Sequence, residues 1–294
     1  MANSSPVEKL FTATRPGRAL ADRFVAGDTL GSAVAVARKL NRDGFLVSLD
    51  LLGEEVRDHA SALAATEEYL SCLDAIDAEG LEANISIKPT QLGLAIEESM
   101  ALDAVGQLGA RAAEIGTTVT IDMEDSRYTE ATVRLFEKAQ GGAGNFGIAL
   151  QAYLHRTPAD LDRLMPLGGH IRLCKGAYVE TGDVAIMAKS EVDRAFGRQL
   201  QVLMAAEQTQ PAVATHDPVL IDLTQRLAKG RENAFEYQML YGVRPDLQRQ
   251  LVGAGNQLRI YLPFGSQWYP YLTRRLAERP SNVWFFIKAL FQGR

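Results

Sequence analysis

The sequence has little cysteine and little histidine, which narrows the chemistry that the chain can perform. Cys72, Cys174 and four histidines are present, with no CxxC pair and no Cys/His cluster. Zinc and iron–sulfur centres depend on such spacings, so no metal site is predicted. Both cysteines fall in apolar or helical stretches, and we interpret them as reduced packing residues, which is typical of a cytoplasmic protein.

An excess of basic residues and long apolar runs are also missing. The net charge is -5, and nothing in the composition suggests the basic face typical of a nucleic-acid-binding protein. No apolar run approaches the roughly 18 residues that a membrane-spanning helix needs, so no transmembrane segment is predicted. The predicted location is cytoplasmic, and membrane contact is restricted to a peripheral role at the inner face of the cell membrane.

Glycine-rich phosphate-binding loops are absent as well. No GxGxxG follows the first predicted strand, and no Walker A pattern occurs. A dinucleotide, if the protein binds one, is therefore not held in the Rossmann manner.

The sequence does contain a regular alternation of apolar strand-like segments with amphipathic helical stretches. Strands separated by helices predict parallel βαβ units, and eight such units favour a closed barrel. An open doubly wound sheet is the alternative. The predicted strands cover residues 44–53, 82–90, 117–125, 145–153, 170–178, 211–217, 235–242 and 257–265. We therefore expect an α/β protein with one domain over residues 1–294: lead-in helices at about 1–43, then a (β/α)8 TIM-type barrel at about 44–285.

Capping residues predict where individual helices begin and end. One helix is expected over residues 61–79 and another over 96–108, with Gly109 just past its end as a stop. A third is expected from Pro158, with Thr157 as its N-cap.

Polar side chains gather where predicted strands end, which is where barrel enzymes place their active sites. Each alone has an ordinary interpretation: a lysine can be a solvated loop residue, His216 an orienting histidine and Gln151 a helix cap. Together they predict a functional site, because charges beside apolar strands are costly unless they are paired or used. These residues are Lys88, Asp122, Glu124, Gln151, Arg172, Lys175, Thr215, His216, Asp217 and Tyr261.

The last predicted helix carries a second polar group. Tyr271, Arg274, Arg275 and Glu278 follow Pro270, and helical spacing places Tyr271, an arginine and Glu278 on one face. Guanidinium groups bind carboxylates or phosphates through paired hydrogen bonds. An exposed basic helix surface is the alternative.

Two motifs resemble the proline dehydrogenase family, including the matching domain of bifunctional proline-utilisation proteins. They are RLCKGAY at residues 172–178 and RIYLPFGSQWYPYLTRRLAE at residues 259–278. Supporting stretches follow in the family's order, one per predicted strand, and the likeness spans about residues 44–285. They are ISIKPTQLG, IDMED, LQAY, ATHD and YQMLYGV.

The resemblance implies a distorted barrel that binds FAD noncovalently and oxidises L-proline to 1-pyrroline-5-carboxylate. Hydride would pass from proline C5 to flavin N5, and electrons would go on to a quinone. Asp122 and Arg172 would be catalytic, with Arg172 beside flavin N5. The residues implied to line the cofactor are Met123, Gln151, Arg172, Lys175, Gly176, Ala177, Thr215, His216 and Glu278.

The resemblance also implies how the substrate is held. Lys88, Arg274 and Arg275 would clamp the proline carboxylate, with Asp122 offsetting part of the positive charge. Leu173 and Tyr261 would pack on the pyrrolidine ring, and Tyr261 would disfavour hydroxyproline by crowding position 4. Glu54 would close the site by pairing with a substrate-binding arginine; the alternative is a carboxylate favoured at a helix N-terminus.

Three other interpretations remain open from the sequence. A Schiff-base aldolase could use Lys88 or Lys175 if the lysine pKa were lowered. A non-catalytic binding protein would need a lost motif residue, and none is lost. A flavin dehydrogenase for hydroxyproline or another cyclic amine would share the same site. Hand-over of the product to a pyrroline-5-carboxylate dehydrogenase is a further expectation.

Overall fold

The computed structural model describes residues 21–269 and 271, and within them eight parallel strands close into a barrel. Each strand pairs with the next along the chain, and β8 pairs back with β1. The barrel confirms the predicted (β/α)8 fold over the open-sheet alternative, and every strand overlaps its predicted segment. The strands are β1 Leu46–Leu51, β2 Ala83–Ile87, β3 Val119–Ile121, β4 Phe146–Gln151, β5 His170–Cys174, β6 Gln210–Ala214, β7 Glu236–Leu240 and β8 Leu258–Phe264.

Helices separate the strands, as the alternating pattern predicts. Residues 21–24 are helical, α1 then precedes β1 as a lead-in helix, and each later helix follows one strand. They are α1 Leu30–Arg42, α2 His59–Ala78, α3 Glu98–Glu114, α4 Ser126–Ala143, α5 Thr157–Leu164, α6 Lys189–Ala205, α7 Pro218–Leu227 and α8 Pro245–Gly253. Short 3-10 turns cover Pro89–Leu92 and Met165–Leu167. Both limits of the predicted domain, residues 1 and 294, and the predicted barrel end at about residue 285 lie outside the described residues.

No helix among the described residues is long and apolar enough to span a membrane.

The strands separate an apolar outer layer from a polar interior. In β1 and β2, Leu49 and Ile85 belong to the buried apolar core, while Asp50 and Ser86 are buried polar residues. Successive side chains of a strand point to opposite faces, so one face packs on the helices and the other lines the barrel axis. The polar interior is what places functional groups at the carboxyl ends of the strands, called here the C-terminal mouth.

Two predicted helix boundaries are wrong, and both have a packing reason. Gly109 does not end α3, which continues to Glu114. A Cβ at Gly109 would lie 2.2 Å from Cζ of Phe146, so glycine lets this helix approach β4 closely. Thr157 is the first residue of α5 rather than its cap; its hydroxyl donates to the carbonyl of Gln151 at 2.5 Å.

Candidate active site

A buried carboxylate, Asp122, joins four strands across the C-terminal mouth. Its Oδ1 accepts hydrogen bonds from Ser86 Oγ at 2.8 Å and from the guanidinium of Arg172. Its Oδ2 accepts from the Tyr261 hydroxyl at 2.6 Å. Asp122 directly follows β3, and its partners lie on β2, β5 and β8, so these contacts cross the barrel interior.

Arg172 is buried at the centre of this cluster with its guanidinium held on two sides. Nε donates to Oε1 of Gln238, while Nη1 donates to Asp122 and, at 3.0 Å, to Ser86. The guanidinium carbon lies 5.1 Å from the centroid of the Tyr261 ring. Nη2 is buried and has no hydrogen-bond partner among the described residues. Leaving such a donor unpaired costs about 1–3 kcal/mol or more, which favours a ligand acceptor at this position.

A second buried ion pair lies beside the first. The Lys88 ammonium contacts Asp50 and lies 3.9 Å from Oδ2 of Asp122. Burial raises the pKa of Asp50, although the neighbouring ammonium opposes this shift. Burial alone would lower the pKa of Lys88, but Asp50 and Asp122 outweigh it and the net shift is upward. Lys88 is therefore held as a cation.

The turn after β5 brings the ends of three strands together. Lys175 forms ion pairs with Asp193 and, at 2.9 Å, with Asp217. Gln151 donates to the carbonyl of Glu124 at 2.7 Å and accepts from the amide of Ala177 at 3.4 Å. The helix-cap interpretation of Gln151 is therefore wrong, because its amide bridges the ends of β3 and β5.

Gly176 lies in the same turn and has a backbone φ of +120°. A Cβ there would come within 2.3 Å of the Tyr153 ring. Both facts require glycine, and the second shows that the backbone of this turn packs directly against the Tyr153 ring.

The end of β6 provides a third side of the mouth. Thr215 Oγ1 accepts from the amide of Asp217 at 3.1 Å. Nε2 of His216 accepts from the amide of Leu240 at 3.1 Å, and Arg244 donates to the His216 carbonyl at 2.6 Å. These bonds tie His216 to the neighbouring strand β7.

Glu124 connects the ends of β1, β2 and β3. Its carboxylate accepts from the amide of Thr90 at 2.8 Å and from the Thr90 hydroxyl at 2.5 Å. Burial raises the pKa of Glu124 to about 7. The same hydroxyl accepts from the amide of Glu55 at 3.0 Å, so the loop that carries Glu54 is attached to this group.

Glu54 lies in that loop, near the buried charges. Its negative charge contributes upward shifts to the pKa values of both Lys88 and Glu124. The alternative of a helix N-terminal carboxylate is wrong, because α2 begins at His59 and Asp58 is its N-cap.

Comparison with known proteins agrees with this geometry. The family model described as Proline dehydrogenase matches residues 33–287. The chain belongs to the proline dehydrogenase family. It is 37% identical to proline dehydrogenase 1 of Bacillus subtilis (strain 168) over 275 residues, covering 92% of this chain and 91% of that protein. It is 39% identical to proline dehydrogenase of Deinococcus radiodurans over 283 residues, covering 93% and 91%.

Likeness to bifunctional relatives is more distant. The chain is 29% identical to bifunctional protein PutA of Escherichia coli (strain K12) over 316 residues, or 91% of this chain and 24% of that protein. The crystal structure of proline utilization A from Bdellovibrio bacteriovorus superposes with a TM-score of 0.83 at 22% identity, covering 88% of this chain and 32% of that one. At this identity the superposition supports the fold alone.

Some residues implied by the family resemblance are not brought to the Asp122 cluster. Leu173 is fully buried in the apolar core and pairs in register with Leu150 and Val213, whereas Arg172 pairs with Ala149 and Ala212. Because strand side chains alternate, Leu173 points away from Arg172, and this placement does not support its predicted contact with a substrate ring. Met123 is buried beside Asp122. Arg274, Arg275 and Glu278 lie outside the described residues.

Three members of the cluster are absent from the sequence-based prediction. Asp50 lies in the apolar run LDLL, Ser86 in ISIK and Gln238 in YQML. A signal for them exists, because in each strand the polar residue occupies one face of a period-2 alternation. The prediction drew mainly on polar residues at the strand ends and on the family motifs, and so missed these other polar groups inside the strands.

Proposed function

We propose that this chain is a flavin-dependent proline dehydrogenase that oxidises L-proline to 1-pyrroline-5-carboxylate with noncovalently bound FAD. The proposal rests mainly on Arg172. This buried cation is fixed at the C-terminal mouth, and one of its guanidinium nitrogens has no hydrogen-bond partner among the described residues. Family membership supports the reaction. The overall reaction removes a hydride from proline C5 and a proton from the ring nitrogen.

The residues at the mouth fit a flavin. When bound, FAD supplies the hydride acceptor. Nη2 of Arg172 offers a buried cationic donor, which suits a position where negative charge develops. Gln151 is oriented by Glu124 and Ala177, and Gly176 lets the neighbouring turn pack closely against Tyr153. Met123, Lys175, Thr215 and His216 surround the same mouth, and we propose that they line the cofactor.

The charges of the cluster indicate how an amino-acid carboxylate would bind. Lys88 and Arg172 are balanced by Asp50 and Asp122, so these four residues have no net charge. A substrate carboxylate therefore needs further cations, and Arg274 and Arg275 are proposed to provide them. The Tyr261 ring is fixed by Asp122 and Arg172, which suits a wall against the pyrrolidine ring.

The route of electrons and product is also a proposal. We propose a quinone as acceptor, reached by peripheral contact of a cytoplasmic protein with the inner face of the membrane. We further propose that residues 1–294 form one domain and that the product passes to a pyrroline-5-carboxylate dehydrogenase. Similarity to the bifunctional PutA proteins supports this hand-over.

A Schiff-base aldolase is less well supported by the same geometry. Imine formation needs a lysine whose pKa is lowered towards neutrality. For Lys175, as for Lys88, burial lowers the pKa, but paired carboxylates outweigh it and raise the pKa overall. Both lysines are thus protonated and occupied by ion pairs.

A dye-linked assay tests the substrate directly. The protein is incubated with FAD and an artificial electron acceptor, and proline, 4-hydroxyproline and pipecolate are compared. The proposal predicts the highest kcat/KM for proline and formation of 1-pyrroline-5-carboxylate. A higher kcat/KM for either competitor would assign the chain to another cyclic amine.

A further inference from the structure

One hydrogen bond of Arg172 leads to β7, where the side-chain amide of Gln238 receives it. Gln238 is 3% exposed, and its Oε1 accepts from Nε of Arg172. Its Nε2 donates to Oε1 of Glu236 at 2.6 Å. The side chain therefore bridges a buried cation and a buried anion.

The two charged neighbours allow only one orientation of this amide. The guanidinium has donors and no acceptor, so it requires the Gln238 carbonyl oxygen. The Glu236 carboxylate is an acceptor, so it requires the Gln238 NH2 group. A flipped amide would place donor against donor and acceptor against acceptor. The orientation of Gln238 is therefore fixed by charge as well as by packing.

Glu236 is itself anchored deeper in the barrel. Arg259 binds it through two hydrogen bonds, at 2.8 and 3.0 Å, and donates to the Val47 carbonyl at 3.0 Å. Burial would raise the pKa of Glu236, but the Arg259 guanidinium outweighs burial and the pKa is lowered. Glu236 is thus a firmly ionised anchor. A continuous line of bonds runs from Val47 through Arg259, Glu236 and Gln238 to Arg172.

This line of hydrogen bonds ends at Nε of Arg172, an atom that Asp122 does not contact. Asp122 and Ser86 hold Nη1, and Gln238 holds Nε. Two fixed contacts on a planar group define its plane and the direction of its third nitrogen. Without Gln238, Asp122, Ser86 and the Tyr261 ring would still hold the guanidinium, but nothing would hold its Nε–H, and the direction of Nη2 would be less tightly defined.

We infer that Gln238, anchored by Glu236 and Arg259, is a positioning residue that orients the guanidinium of Arg172 and with it Nη2, which has no hydrogen-bond partner in the described part of the chain. Its consequence for catalysis rests on the proposed function; its effect on Arg172 does not. A displacement of a catalytic donor by about 1 Å can lower the rate on the order of 100-fold.

The first test requires neither flavin nor substrate. Two-dimensional ¹H–¹⁵N NMR spectra of the arginine Nε–H region are recorded for the purified protein, and the Arg172 signal is assigned by its loss in Arg172→Lys. Gln238→Leu should shift this signal or expose it to solvent exchange. Should Gln238→Leu fold poorly, Gln238→Met provides the same apolar change with greater flexibility.

Gln140→Leu is the matched control. Gln140 is also buried, and its amide bonds to the Phe146 amide and the Leu167 carbonyl, away from the cluster. It should lower stability and leave the Arg172 signal unchanged. An Arg172 signal that is the same in Gln238→Leu as in the wild type would overturn the inference.

The second test measures the consequence for the reaction. In protein loaded with FAD, Gln238→Leu should lower kcat for proline roughly tenfold or more, whereas Gln140→Leu should not. In an Arg172→Lys background, adding Gln238→Leu should change kcat by no more than about twofold, because each change removes the same interaction, that between Arg172 and Gln238. Full additivity of the two losses would contradict action through Arg172. If proline fails to reduce the flavin bound to the wild-type protein, the proposed function is wrong. The NMR result would still decide whether Gln238 orients Arg172.

Discussion

The Tyr261 hydroxyl donates a hydrogen bond of 2.6 Å to Oδ2 of Asp122, which connects the last strand of the barrel to the third. The same tyrosine ring lies 5.1 Å from the guanidinium carbon of Arg172. One side chain therefore contacts both members of the central ion pair, through its hydroxyl and through its ring face. Mutation can therefore test the hydrogen bond of the hydroxyl separately from the contact of the ring with the guanidinium.

Tyr261→Phe should lower the free energy of unfolding by about 1–2 kcal/mol, because it removes a hydrogen bond to a buried carboxylate and keeps the ring. Urea denaturation measures this change. Tyr237→Phe is the control, since the Tyr237 hydroxyl meets neutral groups, the Ile221 carbonyl at 3.5 Å and Thr224, rather than a carboxylate. Equal stability of the two variants would contradict a strong bond to Asp122.

Asp50→Asn should destabilise the protein by about 3 kcal/mol, because it leaves the buried Lys88 ammonium without its paired charge. The urea midpoint should fall while the m-value stays constant. Asp74→Asn is the matched control: Asp74 pairs with Arg111 at 2.8 Å on the surface, and the expected loss is below about 1 kcal/mol. An unchanged midpoint for Asp50→Asn would show that the pair does not hold Lys88.

Glu124 should make stability depend on pH near neutrality. Burial raises its pKa from 4.5 to about 7 in the folded protein, so the folded state binds a proton that the unfolded chain has released. This contribution is fully present below about pH 4.5 and is lost as the pH rises through 7. Between pH 5 and 8, the wild type should lose about 2 kcal/mol relative to Glu124→Gln, which cannot ionise. Thermal melts of the two proteins across this range measure the difference, and parallel curves would contradict the raised pKa.

Gly109→Ala should destabilise the barrel by about 1–3 kcal/mol, because the added methyl group meets the Phe146 ring. Gly106→Ala in the same helix is the control. A Cβ at Gly106 meets nothing within 4 Å, so alanine should stabilise the protein by up to about 1 kcal/mol through its higher helix propensity. The two melting temperatures should therefore move in opposite directions. A shift in the same direction would show that α3 does not pack on Phe146.

The eight strands and their order could be predicted because each strand has its own local signal. Apolar runs such as NFGIAL and HIRLC are bounded by turn residues, and the helices between them require parallel pairing. Helix ends were less predictable. Gly109 has the sequence signature of a stop, but its role is contact with a residue 37 positions away along the chain, which no local pattern contains.

The candidate site was predictable at the strand ends and less so inside the barrel. Asp122, Arg172, Lys88 and Tyr261 were identified from strand-end chemistry and family resemblance, and they meet in the structure. Asp50 and Gln238 were missed because their importance comes from partners on other strands. Leu173 follows Arg172 directly, but alternation turns it to the opposite face. Neighbours in a strand, such as these two residues, are adjacent in sequence but lie on opposite faces of the barrel wall.

An absorption spectrum of the purified protein, supplied with FAD where needed, before and after anaerobic addition of proline tests whether the cluster around Arg172 serves flavin-dependent oxidation of proline. We expect oxidised-flavin bands that bleach with proline and bleach less with hydroxyproline. A colourless protein that takes up no FAD, or an enzyme–substrate imine trapped by borohydride, would contradict this function and favour the aldolase.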